Sequence, residues 1–120
     1  MDQMNTRIVH VDRVSSTQDV AREMVSQELG AVVVADVQEE GRGRRGHVWL
    51  SPHGGLYASI ILRSDPALSL RVGVAVARAL RKLGIVALLK WPNDVLVAGK
   101  KIAGILIESS GETAVVGIGV

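Results

Sequence analysis

The chain has 120 residues, 48% hydrophobic and 22% charged, with a formal net charge of +2. That is one domain with a real core, and a charge too small for wholesale nucleic-acid binding. The absence of cysteine excludes a disulfide framework, a thiolate metal site and a cysteine nucleophile.

Met1 to Arg13 lack the apolar core of a signal peptide, and no apolar run reaches the ~20 residues that span a bilayer. The expectation is a soluble, cytoplasmic protein. Aromatics are Trp49, Trp91 and Tyr57 only, so the core is aliphatic.

Ile8 to Val11 reads as a first strand. Ser15-Ser16-Thr17 then opens a helical pattern running to about Leu29, with Ser16 and Asp19 at capping spacing. Val20, Met24 and Val25 mark its apolar face and Gly30 its end. Ala31 to Ala35 is a β-branched run of strand length. The segment from Gln38 to Gly55 is too rich in Gly, Arg and Pro for regular structure. Its length, about eighteen residues, marks a functional or disordered loop.

Leu56 to Leu62 returns to a strand. Asp65-Pro66 predicts a helix start, with the pattern running to Leu83 and stopped by Gly84. Leu70, Val74, Ala77 and Leu80 to Leu83 are its expected inner face. Val86 to Leu89 leads into a Pro92-Asn93-Asp94 turn. Val95 to Val97, a turn at Ala98-Gly99-Lys100, and Ile102 to Glu108 form a hairpin, followed by a last strand at Thr113 to Gly119. The pattern is α+β: a mixed, mostly antiparallel sheet with helices packed on one face. The last strand reads as a natural edge or a chain missing its continuation, and an exposed late edge would allow a homodimer.

Four polar clusters interrupt the apolar structure: Ser16-Thr17-Gln18; Gln38 with the Gly41-Arg42-Gly43-Arg44-Arg45-Gly46 loop; Lys90-Trp91-Pro92-Asn93-Asp94; and Lys101 within Gly99 to Gly104. Singly, each has a plain reading as a cap, a solvated loop, a turn or an edge charge. His10, His47 and His53 show no metal-ligand spacing, so no metal site is expected. Together, cations on a glycine-rich loop can gather two anions, such as a carboxylate and a nucleoside triphosphate. Joining those two is carboxylate adenylation, which needs positioning and electrostatics rather than a nucleophilic side chain. Asp94 could place Mg²⁺ or accept a proton from an incoming amine.

Order, spacing and identity of Gln38-x-x-Gly41-Arg42-Gly43-Arg44-Arg45-Gly46-x-x-Trp49, Lys90-Trp91-Pro92-Asn93-Asp94 and Gly99-Lys100-Lys101-Ile102-Ala103-Gly104-Ile105-Leu106-x-Glu108 resemble the catalytic domain of biotin protein ligases. The resemblance covers nearly all of residues 1–120. It implies the class II synthetase-like biotin/lipoate ligase fold and two steps. Biotin and MgATP give biotinyl-5′-adenylate, and a lysine of a biotin carboxyl carrier protein then takes the biotinyl group.

By the same resemblance, Ser16, Thr17, Gln18, Gln38, Arg42, Gly43, Arg44, Lys101 and Gly104 would contact biotin. Arg42, Arg44, Arg45, Trp49, Lys90, Asn93 and Lys101 would contact the nucleotide. Arg42, Asp94 and Lys101 would be catalytic. Family members continue beyond Gly119, usually into a small β-barrel-like domain, so the expectation is a C-terminally incomplete catalytic domain. With no helix-turn-helix ahead of the first strand, no DNA binding is expected. Lipoate ligation, a catalytically silent biotin-binding fragment and nucleic-acid binding through the Gly-Arg loop are the competing readings.

Overall fold

The computed structural model describes residues 7–24 and 29–120. Strands β1 (Ile8–Val14), β2 (Val32–Gln38), β3 (Tyr57–Arg63), β4 (Leu88–Lys90), β5 (Asp94–Val97), β6 (Lys100–Ser110) and β7 (Thr113–Gly119) form one seven-stranded sheet. Its order is β1-β2-β3-β7-β6-β5-β4, antiparallel throughout except for the parallel pair β1 and β2. Helices α1 (Thr17–Met24) and α2 (Leu68–Lys82) complete the fold. This is the α+β class expected from the sequence.

The expectation that both helices pack on one face is corrected. Neighbouring residues of a strand point to opposite faces. On β7, Val115 packs with Ala21 of α1, Val33 and Ile61, whereas Ala114 and Val116 pack with Leu68 and Val72 of α2. The helices therefore sandwich the sheet, α1 over β2, β3 and β7, and α2 over the β4 to β7 half. The continuous run Ala31 to Ala35 marks a strand covered on both faces, but not which helix covers which face.

Three further readings shift. Helix α2 begins at Leu68 rather than at Pro66. Ala67 stands at the cap position without a side-chain cap, and Asp65 Oδ1 accepts from the Ala67 amide at 2.7 Å in the turn before the helix. The inner face of α2 is Leu68, Val72, Gly73, Ala77 and Leu80, while Leu70 and Leu83 are exposed. The last strand is no edge: β7 lies mid-sheet between β3 and β6, and the edges are β1 and β4. Val25, expected on the face of α1, and the end of that pattern before Leu29 lie outside the described residues.

Ser16 is the cap of α1, its Oγ accepting from the Gln18 amide at 3.2 Å. Asp19 does not complete the reciprocal box; its carboxylate faces Arg42 instead, at 3.0 Å. No helix among the described residues is long and apolar enough to cross a membrane.

Candidate functional site

A pocket of about 390 Å³ opens on the α1 face of the sheet. It is built where two neighbouring strands, β6 and β7, lack side chains. Gly104 of β6 faces Gly119 of β7, and Leu106 faces Gly117. A Cβ on Gly117 would stand 2.8 Å from Gln18 Oε1, and one on Gly104 would stand 2.9 Å from the Trp49 ring. At both places only hydrogen fits, because another group already lies on the sheet.

One wall is a buried hydrogen-bond chain. Ser16, Thr17, Gln18 and Ser59 are each at most 4% exposed. Ser59 Oγ donates to Gln18 Oε1 at 2.6 Å, since a carbonyl oxygen cannot donate. Having one proton, Ser59 must accept at 2.7 Å from Thr17 Oγ1. The Thr17 hydroxyl thus turns toward Ser59 rather than toward the Gln38 Oε1 at 3.1 Å. That Gln38 oxygen takes the Thr17 amide at 2.8 Å instead. Gln38 Nε2 donates to Ser51 Oγ at 3.0 Å, and Ser51 donates on to the Trp49 carbonyl at 2.9 Å. What the chain leaves toward the pocket is an acceptor at Thr17 Oγ1 and a second N–H on Gln38. Ser51 and Ser59 had no signal in the sequence: a lone serine in an apolar strand marks nothing until its neighbours are known.

The opposite end is cationic. The Gly-Arg loop is held by backbone hydrogen bonds donated by the Gly43 amide to the His47 carbonyl and by the Trp49 amide to the Gly41 carbonyl, at 2.7 and 2.9 Å. A short 3₁₀ turn at Arg44–Gly46 puts Arg45 in the left-handed region at φ 59°. A non-glycine residue there carries a strain of about 1–3 kcal/mol, a cost concentrated at working sites. Arg44 and Arg45 line the pocket, are exposed, and make no ion pair among the described residues.

Arg42 also lines the pocket, but its two terminal nitrogens face Asp19 at 3.0 Å and Glu108 at 2.9 Å. Glu108 Oε1 further accepts from Arg22 at 2.9 Å and from Gln18 Nε2 at 3.0 Å. Burial pushes the Glu108 carboxyl up, yet hydrogen bonds from Arg42 and Gln18, with the charges of Arg42 and Arg22, hold it below the ordinary range. For Arg42, burial lowers the pKa but is outweighed by Glu108 and Asp19, which raise it.

Lys101 Nζ pairs with Asp94 Oδ1 at 3.0 Å and lies 5.1 Å from the centre of the Trp49 ring. The indole lies across Gly104 and Gly119, so Trp49 sits on the glycine floor. Asn93 is 8% exposed and donates from Nδ2 to the Ile105 carbonyl at 2.7 Å, while its Oδ1 is buried without a partner among the described residues. A buried orphan acceptor in a pocket wall is ready for a donor or a cation.

The pocket therefore gathers Ser16, Thr17, Gln18, Gln38, Arg42, Gly43, Arg44, Arg45, Trp49, Asn93, Asp94, Lys101 and Gly104. Lys90 is not among its lining residues; it is exposed on edge strand β4. Outside the pocket, His10, Asp12 and Asp36 gather on the far face of β1 and β2, with His10 Nε2 and Asp36 Oδ1 2.9 Å apart.

The family model for the biotin/lipoate A/B protein ligase family matches residues 10–120. The bifunctional ligase/repressor BirA of Bacillus spizizenii is 40% identical over 132 aligned positions, covering 98% of this chain and 41% of that protein. The Aquifex aeolicus biotin protein ligase in complex with biotin and ATP superposes with a TM-score of 0.87 at 40% identity, covering 95% of this chain and 51% of that one. The Leishmania major biotin protein ligase in complex with biotinyl-5-AMP gives 0.86 at 34% identity, covering 95% and 56%. The chain thus spans between 41% and 56% of these three proteins.

Proposed function

The chain belongs to the biotin/lipoate A/B protein ligase family, and on that premise we propose that its pocket binds biotin and supports ATP-dependent biotin transfer to protein. The observation that carries the reading is the polarity of the pocket. One end offers an acceptor at Thr17 Oγ1 and a donor on Gln38 Nε2. The other end offers the guanidiniums of Arg44 and Arg45 and the ammonium of Lys101. A cyclic urea has N–H donors and a carbonyl acceptor for the first end, and a valerate carboxylate suits the second. A volume of about 390 Å³ lies in the range of small-molecule sites, roughly 300–1,000 Å³.

In the first step a biotin carboxylate oxygen attacks the α-phosphorus of ATP, and the bond to pyrophosphate breaks. Two anions must meet, so the site's contribution is to offset their repulsion and align them. Arg44 and Arg45 supply that positive field, and Lys101 adds to it when it turns from Asp94 to the phosphate. In the second step the neutral ε-amine of a carrier-domain lysine attacks the acyl carbon and AMP leaves. Asp94 takes or orients the amine's proton once Lys101 turns from it to the acyl phosphate. Trp49 offers an aromatic face at the floor for the adenine.

The Mg²⁺ carried by ATP takes hard oxygen donors, and the partnerless Asn93 Oδ1 beside Asp94 fits that demand. When bound, the ion neutralises phosphate charge. The setting that follows from the reading is the cytoplasm, where carboxylase carrier domains and ATP occur together.

Titration calorimetry of the chain with biotin, with and without MgATP and with lipoate as competitor, tests the proposal. Biotin binding that lipoate does not displace, with pyrophosphate release on adding ATP, is expected. A folded chain that binds no biotin would overturn it.

A further inference from the structure

Arg42 is the arginine of the loop with the strongest sequence claim to a ligand, yet it is the one already paired. Its guanidinium bridges Asp19 of α1 and Glu108 of β6 at 3.0 and 2.9 Å, and Arg22 joins Glu108 at 2.9 Å. Two guanidiniums and two carboxylates leave this cluster with no net charge to offer an anion. Its side chains are partly shielded, 28% exposed for Arg42 and 31% for Glu108. A bridge between two elements by one guanidinium is a geometric constraint, because the planar fork fixes direction as well as distance. Arg44 and Arg45, two and three residues on, remain exposed at the pocket with no ion pair among the described residues.

Accepting the biotin reading above, we infer that Arg42 is a positioning residue. It ties the Gly-Arg loop to α1 and β6 through Asp19 and Glu108, so that Arg44 and Arg45 face the ligand's anionic end. Glu108 does double duty in this arrangement. The oxygen that anchors Arg42 also receives Gln18 Nε2, so the same carboxylate fixes the loop and one end of the buried hydrogen-bond chain.

A ligand-contact role and a tethering role for Arg42 predict opposite signs for changes in its partners. If Arg42 touched the ligand, removing a competing carboxylate would leave biotin affinity unchanged or improve it. If Arg42 is a tether, Asp19→Asn and Glu108→Gln weaken binding although the arginine is intact. Asp19→Asn is the cleaner variant, since among the described residues the Asp19 carboxylate pairs with Arg42 and Arg22 and not with the Gln18 side chain.

The experiment combines biotin calorimetry with hydrogen exchange on Asp19→Asn, Glu108→Gln, Arg42→Ala and the Arg42→Ala/Asp19→Asn double variant. Expected is a loss of affinity of about two- to fivefold in each single variant, the scale of a partly exposed ion pair. The double variant should lose no more than Arg42→Ala alone. Exchange of the Gly43 and Trp49 amides should quicken by a similar factor while β3 and β7 amides keep their rates. Asp19→Asn with unchanged or tighter biotin binding, or with unchanged loop exchange, overturns the tether. If the parent chain binds no biotin, the functional reading fails, and the exchange arm alone then decides the tether.

Discussion

Removing the hydroxyl of Ser59 tests the proton order of the pocket wall. Ser59 is fully buried and is the relay between Thr17 at 2.7 Å and Gln18 at 2.6 Å. In Ser59→Ala the two partners fare differently. Thr17 can swing its proton back to Gln38 Oε1, already 3.1 Å away. Gln18 Oε1 has no second donor among the described residues, and Gln18 is 4% exposed.

The loss is therefore one buried acceptor left unpaired, about 1–3 kcal/mol, not two. For a domain of this size that lowers Tm by roughly 3–12 °C. The functional consequence has a different origin. With its proton turned to Gln38, Thr17 no longer presents the same lone pair to the ligand, and biotin affinity should fall about tenfold, the scale of one hydrogen bond. Urea denaturation and biotin calorimetry measure the two effects. Ser64→Ala serves as control: that exposed hydroxyl makes a 3.3 Å contact with Ser109 and should cost under about 0.5 kcal/mol. If Ser59→Ala costs no more than the control and leaves biotin affinity unchanged, the proton order deduced for the wall is wrong.

Gly104→Ala places a methyl 2.9 Å from the Trp49 ring, so the indole must move. A changed Trp49 emission in a Trp91→Phe background is expected, with the fold retained by circular dichroism. Ile61→Ala, at a fully buried site shared by β3 and α1, should cost about 2–5 kcal/mol in urea denaturation. The Glu108 carboxyl is held below its ordinary 4.5, so its stabilising contribution is full above pH 4.5 and is lost as pH falls through the lower folded value. Arg22 and Arg42 face it, and Asp19 faces those two arginines; limited proteolysis of the Gly-Arg loop should accelerate below pH 4.5 before the core opens. His10 is raised above 6.5, first by its hydrogen bond to Asp36, so any contribution it makes is present below pH 6.5 and fades as pH rises past the folded value. Asp36→Asn should return its NMR titration midpoint toward 6.5.

Strand and helix existence was legible because the signals are local: capping serine and aspartate, glycine stops, and β-branched runs. What pairs with what is not local. Thr113 to Gly119 reads the same as an edge or a centre until its register with Ile61 and Leu106 is known. The inner face of α2 slipped because Leu70 and Leu83 are apolar yet exposed, whereas Gly73 is buried. The four polar clusters did converge on one pocket. Their internal pairing was invisible from the sequence: Arg42 with Asp19, Lys101 with Asp94, and Ser59 between Thr17 and Gln18. Oppositely charged residues far apart in a chain carry no mark of their partner.

The central place of β7 sets an order of assembly. β1, β2 and β3 can associate as soon as they exist, and β4, β5 and β6 form their own meander. Neither group hydrogen-bonds to the other; β7 joins both, through Ile61–Val115 on one side and Ile107–Val116 on the other. Because β7 comes after all six in sequence, a chain emerging from the ribosome carries two unsewn flaps, each with an open strand edge, until residues 113–119 arrive. Closure then requires contacts spanning much of the chain, the slow kind. In that interval Gly117 and Gly119 are absent as well, so the pocket floor and the finished sheet come into being in the same event.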